Sequence, residues 1–201
     1  MAKNNKRKGV KNANSVKMNV SNPTATKKNV HNGKSPATLF NNSLIVDFSY
    51  KDWLKSISNK GFSNKLFDES QFAKFMFDVL YKIFPTVQTN WETIRTQPGK
   101  GFRHCHPVDE DKLPVVKKIV QELHGNIAVD IEESESLRYW QFGTTQSVRV
   151  VGIYDNARNV VYPLFIDYHH LIHASQKHNQ NDHKAYKFCP YCYYERQLAY
   201  K

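Results

Sequence analysis

Three short runs near the C-terminus, Ser136–Phe142, Ser147–Tyr154 and Val160–Asp167, constrain the fold most. Each is rich in Val, Ile, Tyr and Phe and has a period close to two, the repeat of a strand rather than a helix. Gly143-Thr-Thr and Asp155-Asn-Ala-Arg-Asn159 join them. Such short connections suit antiparallel neighbours, because a parallel return needs a crossover of a dozen or more residues. The segment reads as an antiparallel meander, and its apolar side needs a cover.

Upstream the period is 3.6. Phe72, Phe75, Met76, Val79, Leu80 and Ile83 predict a helix over roughly 68–84, with Pro85 marking its end. Leu44–Phe48 reads as a strand. Tyr50–Ile57 reads as a short helix with Ser49 as N-cap, broken by Asn59, Gly61 and Asn64. Residues 95–109 read as a loop. Its Gly99 and Gly101 do not make a P-loop, since no Gly-Lys-Ser/Thr follows in frame. A helix over about 109–124 has Asp109, Glu110 and Asp111 at its positive end and Gly125 at its stop. The Tyr- and Lys-rich tail 184–201 suits a short helix or a packed coil. No internal repeat is found. The order predicts an α+β fold: an antiparallel sheet of the N-terminal strand plus the three-stranded meander, with helices packed on one face.

Charge divides the chain. Its formal net charge is +11, yet residues 1–36 hold nine Lys/Arg and no Asp/Glu. The remainder holds 20 Lys/Arg against 18 acids. Residues 1–38, with Lys6, Arg7 and Lys8, read as a disordered basic arm, too poor in apolar groups to offset chain entropy. Residues 39–201 read as one domain with an inserted loop and helix at about 88–130. Such an arm suits a polyanion, most simply nucleic acid, or serves only as a solubility tail. The first thirty residues carry no apolar h-region, and no run approaches about 18 apolar residues. With three cysteines, two spaced C-x-x-C, this predicts a cytoplasmic protein without a membrane or a disulfide framework.

Two segments resemble a known superfamily. Val148-Arg-Val-Val-Gly-Ile-Tyr154 followed by Val160–Ile172 resembles the last strands of RelE/ParE-type toxin-fold proteins. Ile45–Lys55 resembles the opening strand and helix of that fold. The likeness spans about half of the chain, mostly 44–84 and 136–173. It implies a small α/β toxin fold, many members of which cleave mRNA without metal, often on the ribosome, and are held by a protein antitoxin. The insertion at 88–130 and the C-x-x-C tail depart from the pattern.

The chemistry concentrates in Phe165-Ile-Asp-Tyr-His-His-Leu-Ile-His173. Metal-free RNA cleavage needs a base for the 2′-OH, a cation for the phosphorane and an acid for the leaving oxygen. His169 or His170 can serve as base or acid, and Arg149 can grip the phosphate. Tyr168 and Arg138 are weaker candidates. Strand parity puts only one of His169 and His170 beside Arg149, and His170 is favoured. The plain alternative pairs Arg149 with an acid such as Asp167 and leaves the histidines capping a strand end.

Cys189 and Cys192 have the spacing of a zinc knuckle. Cys105 with His104 or His106 offers the second pair, and His178 or His183 a single ligand; the expectation is structural zinc held by Cys189, Cys192, Cys105 and His106. A thioredoxin-like redox role is disfavoured, because no strand–helix context is evident around Cys189. Asp167–His170, Asn179 or Asn181 and His183 also loosely resemble a metal-dependent HNH nuclease. Tyr186, Phe188, Tyr191, Tyr193 and Tyr194, interleaved with Lys184, Lys187 and Arg196, can stack on bases or simply cover the core. The sequence thus predicts an RNA-engaging RelE-like protein, an endoribonuclease if an enzyme. The alternatives are a non-catalytic nucleic-acid-binding or interaction module, then the HNH-like nuclease.

Overall fold

Val148–Tyr154 is apolar almost without interruption, and the central strand it forms is buried along its whole length. A strand buried throughout needs cover on both faces. In the computed structural model, which describes residues 43–59, 61–125, 131, 134–144, 147–174 and 181–199, the sheet order is β1-β7-β6-β5-β4. The strands are β1 (Ile45–Val46), β4 (His106–Pro107), β5 (Leu137–Gly143), β6 (Arg149–Asp155) and β7 (Val160–Asp167). All described residues belong to a unit spanning Leu39–Lys201. The basic arm, with Lys6, Arg7 and Lys8, lies outside the described residues.

The meander pairs antiparallel as expected, and the protein is α+β. Two details of the sheet differ. β1 pairs with β7 in parallel, Ile45 opposite Val160 and Val46 opposite Val161, so the sheet is mixed. Helices also cover both faces. On one face, Val79, Ile83, Val87, Trp91 and Ile94 pack with Trp140, Phe142, Val150 and Ile166. On the other, Val116, Ile119, Val120 and Leu123 pack with Tyr139, Val151, Ile153, Leu164 and Phe165.

The remaining elements include α1 (Glu69–Phe77), α2 (Phe84–Thr96), α3 (Leu113–His124), α4 (Pro190–Ala199), a 3-10 helix (Asn181–Ala185) and a two-stranded sheet of β2 (Ser58–Asn59) and β3 (Phe62–Ser63). Asp68 caps α1, its Oδ1 accepting the Gln71 N–H at 2.8 Å. Pro85 does not end the helical run. A π-helical stretch, Asp78–Ile83, follows α1 and runs on into α2, whose second residue is Pro85. The expected helix at 50–57 is one 3-10 turn, Lys51–Leu54. Gly152 sits at an irregularity in the β6–β7 register, where a Cβ would stand 2.5 Å from the Tyr162 carbonyl oxygen.

Candidate functional site

The C-terminal end of the meander is organised by one buried carboxylate. Asp167, 1% exposed, is the last residue of β7. Its Oδ1 accepts N–H groups from His169 (3.2 Å) and Leu171 (3.0 Å), and its Oδ2 accepts from Ile172 (2.9 Å). Three bonds to one side chain wind residues 168–172 into a tight turn. His170 in that turn adopts φ +57, a left-handed conformation uncommon for a residue with a side chain.

The segment joining α2 to β4 meets this turn. Four imidazoles line up across the meeting point. Ring centroids of His104 and His170 lie 6.5 Å apart, those of His170 and His173 5.8 Å, and those of His173 and His106 6.2 Å. Asp109 reaches both His106 (3.8 Å) and His173 (3.9 Å). Two proton positions follow from the acceptors. His170 Nδ1 lies 3.1 Å from the His173 carbonyl, and His106 Nδ1 lies 2.7 Å from the Pro107 carbonyl. A carbonyl only accepts, so both Nδ1 atoms carry a proton directed at these carbonyls. Gln141, facing His106 in the β4–β5 register, sets its Nε2 3.4 Å from His106 Nε2.

Arg149 lies beneath this row. It faces Gly143 on β5 and Asp167 on β7 in the sheet register. Only glycine leaves room for it: a Cβ on Gly143 would stand 2.6 Å from Arg149 Cδ. Nη1 donates to the Val148 carbonyl at 2.8 Å. Burial pulls the guanidinium down to about 10, while Asp167 and the Cys105 thiol oppose that shift. His104 is pulled down to about 4, first by burial, then by the charges of Arg149, His170, Arg103 and His106. It is therefore neutral at pH 7. His104 and Arg103 line an open cleft of about 460 Å³ with Thr86, Gly101, Phe102, Gly143 and Thr144.

Three expected catalytic assignments change. Arg149 is 2% exposed and set against Asp167, so from this position it does not grip a phosphate. Tyr168 is 1% exposed and stacks on Phe75, and burial pushes its phenol far up, so it keeps its proton. His169 turns away: its Nε2 donates to the Lys65 carbonyl at 2.7 Å, and its ring stacks on His183 at 5.5 Å. Strand parity did not apply because β7 ends at Asp167. Of the four, His170 joins the cluster. His104, weighed in the sequence only as a metal ligand, Asp109, read there only at a helix N-terminus, and His173, given no individual role, join it too. The signal was present as His-x-His at 104–106 and His-x-x-His at 170–173.

The metal candidates separate. Cys105 is 1% exposed and donates to the Gly143 carbonyl at 3.3 Å. Cys189 and Cys192 lie with Ser56 at the start of α4. His106 serves the histidine row instead. Among the described residues, no group of three or more His, Cys, Asp or Glu is placed to hold a metal ion. His178 and Asn179 lie outside the described residues. Arg138 and Lys187 are both exposed, but Arg138 faces Tyr154 near the opposite end of β5, roughly 17 Å along the strand from Gly143.

A family model described as "Uncharacterised protein UU032" matches residues 49–196, which takes in β4 to β7, α1 to α3, most of α4 and the histidine row. The chain belongs to this family. It is 31% identical over 173 residues to "Uncharacterized protein UU032" of Ureaplasma parvum serovar 3 (strain ATCC 700970), covering 81% of this chain and 93% of the relative. No solved structure matches the chain. No described helix is long and apolar enough to cross a membrane.

Proposed function

We propose that this chain is a cytoplasmic, RNA-engaging protein and cleaves RNA without a metal, using His104 and His170 as its proton-transfer pair. The observation that carries the reading is their juxtaposition. Two imidazoles from segments 66 residues apart in sequence meet with ring centroids 6.5 Å apart, and one of them, His104, lines an open cleft. Neutral His104 accepts the 2′-OH proton, and His170 returns a proton to the leaving 5′-oxygen. Arg103, exposed in the cleft, supplies the cation for the phosphorane. Arg149 acts at one remove, as a buried charge that adds to the effect of burial in keeping His104 neutral and that faces the carboxylate shaping the His170 turn. The basic residues 1–36 add affinity for the phosphate backbone. The reading keeps the ribonuclease chemistry implied by the RelE likeness and reassigns its residues.

The test is cleavage of a labelled RNA in excess chelator. Wild type should cut, and His104→Gln and His170→Gln should each lose about a hundredfold or more. Unchanged cleavage in both variants would remove the proton-transfer roles.

The second reading, a non-catalytic nucleic-acid-binding module, is favoured by the burial of Arg149 opposite Asp167. It predicts RNA binding with no cleavage in any condition.

A further inference from the structure

Cys189 follows the isolated antiparallel bridge between Leu66 and Phe188, whose two backbone bonds are each 2.9 Å. It also opens α4, since Pro190 is the first helical residue and the Tyr193 N–H bonds the Cys189 carbonyl at 3.0 Å. The sulfur therefore stands where a capping oxygen usually stands. It accepts the Cys192 N–H at 3.3 Å and, from across the fold, the Ser56 N–H at 3.4 Å. Cys192 lies one turn on, and the two sulfurs are 2.8 Å apart. The C-x-x-C thus follows a single bridge residue, Phe188, and opens a helix.

The surroundings divide the labour. Burial raises the Cys189 thiol, but bonds from Cys192 and Ser56 outweigh it and hold the group below its ordinary value. Cys192 is raised, by its own partial burial and by the neighbouring sulfur. Cys189 is 8% exposed, whereas Cys192 is half-buried, with the charges of Lys55 and Arg196 acting on it. An outside reagent reaches Cys192 first, and Cys189 waits behind it. Cys105 takes no part, because its thiol lies buried against the Gly143 carbonyl.

We propose that Cys189 and Cys192 form a dithiol–disulfide exchange site whose substrates are low-molecular-weight disulfides, with Cys192 as the entry thiol and Cys189 as the resolving thiol. The Cys192 thiolate attacks one sulfur of a disulfide RSSR. A Cys192–SR bond forms, the RS–SR bond breaks, and RS⁻ leaves. The Cys189 thiolate then attacks Cys192 Sγ, forming the Cys189–Cys192 disulfide and expelling the second RS⁻. Two protein thiols are oxidised, one disulfide is reduced to two thiols, and the two thiol protons end on the released RSH. The sulfurs need approach by less than about 1 Å to reach disulfide bonding distance.

The full-length protein, prepared without chelator, is treated with oxidised glutathione, quenched with an alkylating agent and mapped by mass spectrometry. The expected product is a Cys189–Cys192 disulfide with Cys105 still reduced. In Cys189→Ser a glutathione adduct should persist on Cys192, at least about a hundredfold longer than the transient adduct of wild type, because the intramolecular thiol is gone. In Cys192→Ser little adduct should form on the shielded Cys189. A wild-type protein that stops at a stable mixed disulfide, or an adduct that forms first on Cys189, would overturn the assignment. So would one zinc per chain, released by either substitution; the wild-type result decides if a variant fails to fold.

Discussion

The side chain of Arg149 lies across the backbone of Gly143, so close that a methyl group there would stand 2.6 Å from its Cδ. The absent side chain on β5 is what lets a guanidinium be buried at the end of the sheet. Gly143→Ala must push Arg149 out of its place or push β5 and β6 apart. A loss of about 1–3 kcal/mol in urea unfolding is expected, the usual range for overpacking. Unchanged stability would mean that the guanidinium has room to move.

Asp167 combines two duties, as a counter-charge for Arg149 and as acceptor of three N–H groups from the His169–Ile172 turn. Asp167→Asn keeps the size and one carbonyl oxygen but removes the charge and an acceptor. It should cost about 3 kcal/mol, as when one partner of a buried pair is removed. It should also free the His170 turn, measurable as faster amide exchange at residues 169–172 while β5 and β6 stay protected.

Burial lowers His104, to about 4, and also His169 and His173 from their ordinary 6.5. Below 6.5 the unfolded chain takes up protons that the folded protein refuses. Proton uptake therefore favours unfolding, and stability should fall as pH drops from 6.5 towards about 4. Thermal melts across that range should show the decline, with a shallower slope in His104→Gln. A flat profile would mean that these imidazoles are as solvated as in the unfolded chain.

The basic arm makes a separate prediction from sequence alone. Residues 1–36 carry nine Lys/Arg without an acid, so a chain beginning at Ser35 should bind RNA more weakly and with a shallower salt dependence. Filter binding at several salt concentrations measures both. Equal affinity and slope would leave the arm without this role.

The sheet was readable where local pattern decides. The runs at 136–142, 147–154 and 160–167 became β5, β6 and β7 with ends shifted by a residue or two. The apolar stripe from Phe72 to Ile83 became α1 and its π-helical continuation. What pattern does not encode is which distant segments meet. Pro85 signals a stop locally, yet it fits the start of α2. The direction of β1 depends on which strand it joins, and two residues of pairing leave little local trace. The continuous apolar run of Val148–Tyr154 did carry the signal for two covered faces. In the candidate site, His170 was legible as chemistry and Asp167 as a partner for Arg149. The role of His104 beside them was not, because it arrives from the far side of α3, 66 residues earlier. Likewise the Ser56 N–H that meets Cys189 Sγ comes from 133 residues earlier, which the C-x-x-C spacing does not encode.

The central claim is that His104 and His170 move the protons of a 2′-hydroxyl attack. A single RNA of defined sequence, with its cleaved position carrying either a 2′-OH or a 2′-deoxy sugar, tests it in excess chelator. The account predicts cutting of the 2′-OH strand with a 2′,3′-cyclic phosphate at the new end, and an intact 2′-deoxy strand. Cleavage of both strands, or cleavage that needs a divalent ion, would contradict it.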